Sequence, residues 1–310
     1  PGTFQASTGR SSCDACAAVS YCGDATVVPT VCPQGSFCPA GTEYGTEFLC
    51  PRGTFGASTG VQSMASCTEC AEGKYCFPAG LTAPAGDCDA GHYCVGGSAT
   101  RVPTSSFNGR DAGSAGIFAG DVCPPGHFCP AGSPAAVECP AGTFTQAFSN
   151  PAESYCQDCT PGFFCPTNGT IVPTQQCLPQ FYCPAGSNSS SILCTAGHYC
   201  PGGDATPIPC ALGTFANSTG RISCDTCPEG FVCGEATVEP ANCPAGFYCP
   251  TGTRFPTQFP CPEGTFSNNT NLVSSSQCTP CTAGFFCESS GLIEPTGKCG
   301  PGHYCAGGSD

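Results

Sequence analysis

The chain has no tryptophan, a single methionine and only two lysines, Lys74 and Lys298. Leu, Ile, Val and Phe together supply 47 of its 310 residues, too few for a sizeable hydrophobic core. No window keeps a clean helical period, and no apolar run is long enough to span a membrane. A signal peptide and a lipid anchor are also missing from the sequence. Only a tenth of the residues are charged, and the formal net charge is −14. With so few cations there is no basic stripe for nucleic acid or for an anionic membrane.

What the chain does have is cysteine, glycine and proline: 33, 42 and 32 residues respectively. Gly and Pro at this level approach the composition of a disordered chain, but the cysteines argue for order. At more than a tenth of the residues they mark a disulfide scaffold in an oxidising, extracellular setting. A bond closing a loop of ~15 residues is worth roughly 3 kcal/mol by the chain-entropy account, more than one further buried aromatic supplies. Four N-glycosylation acceptors fit the same setting: Asn168, Asn188, Asn217 and Asn268.

The cysteines repeat a short element, C-x-x-G-x-(Phe/Tyr)-C. Cysteines six apart stand at Cys16/Cys22, Cys32/Cys38, Cys70/Cys76, Cys88/Cys94, Cys123/Cys129 and Cys159/Cys165. The same spacing recurs at Cys177/Cys183, Cys194/Cys200, Cys227/Cys233, Cys243/Cys249, Cys281/Cys287 and Cys299/Cys305. Val19 and Gln180 depart from the glycine, and Val232 from the aromatic. The glycine reads as a tight turn needing positive φ, and the aromatic as a plug against sulfur.

The larger order is C-x13–16-C-x2-C-x5-C-x9–11-C-x5-C, opened by a Gly-Thr-Phe turn after Cys50, Cys139, Cys210 and Cys261. It divides the chain into modules 1–38, 50–94, 139–183, 210–249 and 261–305. Residues 95–138 form a long linker with an extra C-x5-C staple, and 184–209 a linker with another. Thr-x-x-Pro segments at Thr26–Pro29, Thr170–Pro173 and Thr237–Pro240 read as short extended stretches. Above the modules stands a longer period. Shifted by 211 residues, Cys13 through Cys94 fall on Cys224 through Cys305 without a gap, and about half of the overlapping positions are identical. Fixed periods of this kind mark arrays whose members contact chiefly their neighbours. The expected fold is therefore a set of small disulfide-rich modules in tandem. It has short β-hairpins, no substantial helix and an elongated, rod-like form.

The runs CPRGTFGASTGVQSMASCTECAEGKYC and CPAGTFTQAFSNPAESYCQDCTPGFFC resemble the cysteine-rich repeats named after ephrin receptors. Those repeats occur in animal ectodomains and in long extracellular arrays of protists and algae. The six-cysteine order is also similar to tumour-necrosis-factor-receptor modules, whose pairing runs first to second, third to fifth and fourth to sixth. That resemblance implies Cys50–Cys67, Cys139–Cys156, Cys210–Cys224 and Cys261–Cys278. It further implies Cys16–Cys32, Cys22–Cys38, Cys70–Cys88, Cys76–Cys94, Cys159–Cys177, Cys165–Cys183, Cys227–Cys243, Cys233–Cys249, Cys281–Cys299 and Cys287–Cys305. Cys123–Cys129 and Cys194–Cys200 would close on themselves. Cys13 is left over, its expected mate lying upstream of Pro1, with a free thiol or an intermolecular bond as alternatives.

Site chemistry finds little purchase. The C-x2-C pairs never converge two by two as zinc requires, and no βαβ frame supports a redox dithiol. His92, His127, His198 and His303 share one position of the short element and read as solvent-facing turn residues rather than a metal ladder. No nucleophile set, paired carboxylates, calcium loop or phosphate-binding loop can be assembled. The expectation is a non-enzyme without cofactor or metal. It is an interior stretch of an extracellular glycoprotein that builds a filament, coat or ciliary hair with itself or other filament proteins. It would carry N-linked glycans, with O-linked ones as an open option. The alternative is a receptor or adhesion ectodomain binding a protein ligand, for which 95–122, with Phe107, Ile117 and Phe118, is the candidate patch.

Overall fold

The computed structural model describes residues 1–104 and 120–310. Phe107, Ile117 and Phe118 lie outside the described residues. Contacts divide the chain into two compact units, Pro1–Gln157 with Thr167–Val172, and Asp158–Pro166 with Pro173–Asp310. Both are small disulfide-rich modules in tandem. Strands of two residues pair two by two into antiparallel hairpins, and the only helical segments among the described residues are three-residue 3₁₀ turns.

The smallest repeat is one hairpin, here called a rung. It opens with a cysteine, turns, and runs a two-residue strand such as Lys74–Tyr75. After a loop, a return strand such as Gly86–Asp87 ends directly before the next opening cysteine. Cys32, Cys50, Cys70 and Cys88 open successive rungs of the first unit, and Cys210, Cys227, Cys243 and Cys261 do so in the second. In the rung opened by Cys88, His92–Tyr93 pairs with Asp121–Val122, which ends directly before Cys123.

Two positions in each rung adopt a left-handed backbone. The first lies three residues after the opening cysteine, as at Gly53 (φ 85°) and Gly73 (φ 74°). It is the third residue of a four-residue turn closed by a backbone bond such as Lys74 N–H to Ala71 O (3.1 Å), the type II arrangement that wants glycine. Val19 (φ 73°) and Gln180 (φ 78°), the two departures from the short element, hold the same conformation without glycine. The second position lies nine or ten residues after the cysteine, as at Gly41 and Gly60. Ala25, Ser149, Ala236 and Asn271 occupy it with φ between 54° and 65°. In both turns the next residue often closes the turn with its hydroxyl. Thr54 Oγ1 donates to Pro51 O (2.8 Å) and Thr42 Oγ1 to Pro39 O (2.7 Å).

Neighbouring rungs of a unit are joined by backbone hydrogen bonds, and these use the left-handed residues. Gly53 N–H donates to Cys76 O (2.9 Å), Cys76 N–H to Ser98 O (2.9 Å), and Gly80 N–H back to Cys50 O (2.8 Å). The second unit repeats the scheme with Gly213 to Cys233 O, Cys233 to Thr253 O and Ala236 to Cys210 O. A ladder of this kind satisfies main-chain groups that a helix or a wide sheet would otherwise pair.

The interior is sulfur. Among the described residues, the buried apolar side chains apart from cysteines are Val61, Ala216, Val232 and Leu272. Where an aliphatic is buried, an aromatic joins it: Phe37 packs on Cys50, Val61 and Cys67, and Tyr248 on Cys261, Leu272 and Cys278. Phe37 thus plugs the bridge of the following rung rather than its own.

The pairing differs from the one implied by tumour-necrosis-factor-receptor modules. All cysteines six apart bond to each other: Cys16–Cys22, Cys32–Cys38, Cys70–Cys76, Cys88–Cys94, Cys159–Cys165, Cys177–Cys183, Cys227–Cys233, Cys243–Cys249, Cys281–Cys287 and Cys299–Cys305. None of the ten implied bridges from Cys16–Cys32 to Cys287–Cys305 is formed. The reason is the left-handed turn, which folds the backbone back within one element and brings the two Cα atoms to about 6 Å, as at Cys70 and Cys76 (5.8 Å). That separation is the ordinary one for a disulfide. Cys123–Cys129 and Cys194–Cys200 close the same way. The Gly-Thr-Phe rungs carry the longer bridges Cys50–Cys67, Cys139–Cys156, Cys210–Cys224 and Cys261–Cys278. Three of these span 17 positions and one 14, and the 3₁₀ turns Met64–Ser66, Glu153–Tyr155 and Ser275–Gln277 supply the difference. On loop length alone, removing Cys50–Cys67 is expected to cost about 3 kcal/mol and removing Cys70–Cys76 about 2, read as urea-unfolding midpoints of the double serine variants.

Candidate functional site

The short element places each histidine one residue past the first left-handed position. His92, His127 and His198 therefore begin two-residue strands, and His303 holds the same position without a strand. Ring nitrogens fold back locally, with His127 Nδ1 3.0 Å from Pro125 O and His198 Nδ1 3.2 Å from Ala196 O. Among the described residues no cluster of three metal-ligating side chains exists.

Charges are equally dispersed. Lys74 pairs with Asp87 at 2.6 Å and Arg101 with Asp89 at 3.4 Å, both exposed. Arg10–Asp14 and Arg221–Asp225 are the same helical-spaced pair one period apart. Such exposed pairs contribute little to stability. Their recurrence shows instead that the period of 211 residues is present in side-chain detail. The stacked rings Phe37–Phe48 and Tyr248–Phe259 repeat at the same offset, both with centroids 5.6 Å apart.

Each Thr-x-x-Pro segment begins just after a second left-handed position. Thr26 O, Thr170 O and Thr237 O accept from Gln5 N–H, Thr145 N–H and Ala216 N–H of the preceding rung. Thr26 Oγ1 and Thr237 Oγ1 donate back to Gly23 O and Gly234 O. Pinned at its first residue, the segment lifts the next two outward, so that Val27, Val28, Ile171 and Val172 are exposed. The 211-residue repeat breaks here. Val19, Val28 and Val31 of the first period become Gly230, Glu239 and Asn242 in the second, so these three exposed valines occur in the first alone, with Val28 74% exposed.

All four acceptor asparagines are exposed. Asn168 Oδ1 accepts the Ala141 N–H (2.9 Å), and Asn188 Oδ1 accepts from Ser189 Oγ (3.2 Å). Cys13 is the one free cysteine and is exposed. Without reductant, a maleimide is expected to label one thiol per chain, and Cys13→Ser to abolish labelling without shifting the unfolding midpoint. Labelling at any other cysteine would show an open bridge.

No protein-family model matches the chain, and no curated protein matches it either. Among the described residues no helix is long and apolar enough to cross a membrane. Sequence reasoning missed the second left-handed position. Its signal was present in the recurring Cys-Pro-x-Gly-(Ser/Thr) after the short element, as at Cys38–Thr42, Cys129–Ser133 and Cys249–Thr253.

Proposed function

We propose that this chain is a structural segment of an extracellular glycoprotein, assembled with itself or with other filament proteins into a filament, coat or ciliary hair. The observation that carries the reading is the recurrence of surface detail at 211 residues, in the Arg10–Asp14 and Arg221–Asp225 ion pairs and the Phe37–Phe48 and Tyr248–Phe259 ring stacks. A subunit used at regular spacing needs such recurring surfaces. Sixteen bridges favour an oxidising compartment, and a sulfur interior suits rungs too small to bury aliphatics. The likeness to ephrin-receptor-like repeats belongs to this proposal, without the bridge pattern of tumour-necrosis-factor-receptor modules. Electron microscopy of the native material tests it: fibrils or sheets with a regular axial repeat are expected. Discrete particles that polymerise under no condition would sink the idea.

A receptor or adhesion ectodomain is the second reading, favoured by the exposed Val28 and Val31 that the second period replaces with Glu239 and Asn242. It expects Val28→Glu with Val31→Asn, the residues of the second period, to abolish capture of a protein ligand while leaving the fold intact. The filament reading expects those changes to leave assembly unaltered.

A further inference from the structure

The Gly-Thr-Phe rungs lack the six-residue staple, and a small buried residue stands where its second cysteine would be, as at Gly56, Ala216 and Ser267. The chain then emerges into solvent. In the first period the emerging residues are Ala6-Ser7-Thr8 and Ala57-Ser58-Thr59. One period later they are Asn217-Ser218-Thr219 and Asn268-Asn269-Thr270. All twelve are exposed. The hydroxyl residue that an N-glycosylation acceptor needs two places on is thus already present in these four copies, and a single residue decides whether the acceptor exists. The rung opened by Cys139 differs, with Gln146-Ala147-Phe148 in the same place.

The side chains of Asn217, Asn268, Thr219 and Thr270 make no hydrogen bond within the described residues. The other two acceptors use theirs internally. Asn168 Oδ1 holds the Ala141 N–H, Thr170 Oγ1 donates to Thr167 O, and Ser190 Oγ accepts the Leu178 N–H (2.9 Å).

We infer that the residue seven places after the opening cysteine of a Gly-Thr-Phe rung is a built-in sugar attachment point, used at Asn217 and Asn268 and blank at Ala6 and Ala57. The two periods therefore share a backbone and differ in coat. The inference rests on the export proposed above. The donor is an oligosaccharide linked through pyrophosphate to a lipid. Asparagine Nδ2 forms a bond to the anomeric carbon as the carbon–oxygen bond to pyrophosphate breaks. The lipid pyrophosphate leaves with the bonding pair, and Nδ2 gives up one proton. The sugar then projects from an exposed loop without displacing a hydrogen bond of the rung.

The test expresses the full chain in a secreting eukaryotic cell and releases glycans enzymatically in heavy-oxygen water, which marks each formerly occupied asparagine as aspartate. Expected are marks at Asn217 and Asn268, at higher occupancy than at Asn168 and Asn188. Ala6→Asn and Ala57→Asn should each add one glycan at unchanged secreted yield. A secreted, disulfide-bonded chain unmarked at Asn217 and Asn268 overturns the attachment point and leaves the export reading standing. Retention of Ala6→Asn or Ala57→Asn inside the cell overturns it also. A wild-type chain that is not exported, or that keeps its thiols reduced, overturns both.

Discussion

Digestion with an endoproteinase that cuts before aspartate is expected to release residues 24–86 as a free fragment without any reductant. The fragment has no internal aspartate, and its six cysteines form Cys32–Cys38, Cys50–Cys67 and Cys70–Cys76, so nothing covalent leaves it. Pairing of the tumour-necrosis-factor-receptor type predicts the opposite. Cys32 and Cys38 would be tied to Cys16 and Cys22, and Cys70 and Cys76 to Cys88 and Cys94, so the fragment would appear only after reduction. Digestion under denaturing conditions with thiols blocked, followed by mass measurement, distinguishes the two outcomes completely. Retention of the fragment in a larger disulfide-linked species would refute the rung as the covalent unit.

Gly53→Ala is expected to disturb the ladder strongly. Its φ of +85° already costs an L-residue about 1–2 kcal/mol. A Cβ there would also stand 2.4 Å from Gly97 O, a backbone atom two rungs on that cannot swing aside. The two terms together predict a loss of about 3 kcal/mol or more, with faster hydrogen exchange at Gly53 and Cys76, whose N–H groups bond the following rungs. Gly41→Ala is the control. Its φ of +84° carries the same strain, but no atom lies within 4 Å of the added carbon, so about 1–2 kcal/mol is expected. Equal losses in the two variants would show that conformational strain, not rung-to-rung approach, selects glycine. The natural exceptions agree with an approach limit. A Cβ added at Gly60 or Gly220 would come no closer than 3.8 Å to the Cβ of Val19 or Gln180, so side chains at these two positions leave the facing turns room.

Much of this fold was legible in composition and spacing. A chain with this little aliphatic content and this much sulfur has few ways to fold, and the short element named the turn, its glycine and its aromatic. The bridge pattern was not legible. Cys70 lies as conveniently near a second partner as a first in any linear reading, and only the left-handed turn at Gly73 decides that Cys76 is the mate. The second left-handed position hid for a related reason. Ala25, Ser149, Ala236 and Asn271 replace glycine there, so the Cys-Pro-x-Gly-(Ser/Thr) run that marks it in other rungs is broken in these. The candidate site was legible mainly as scattered residues: the asparagine acceptors stood out, whereas their equivalence with Ala6 and Ala57 needed the rung as a ruler.

Every bridge in this molecule begins and ends inside one hairpin. A gene encoding it can therefore gain or lose a hairpin without stranding a single sulfur. Length becomes a quantity that recombination adjusts in steps of one hairpin, with each product able to oxidise correctly at first attempt.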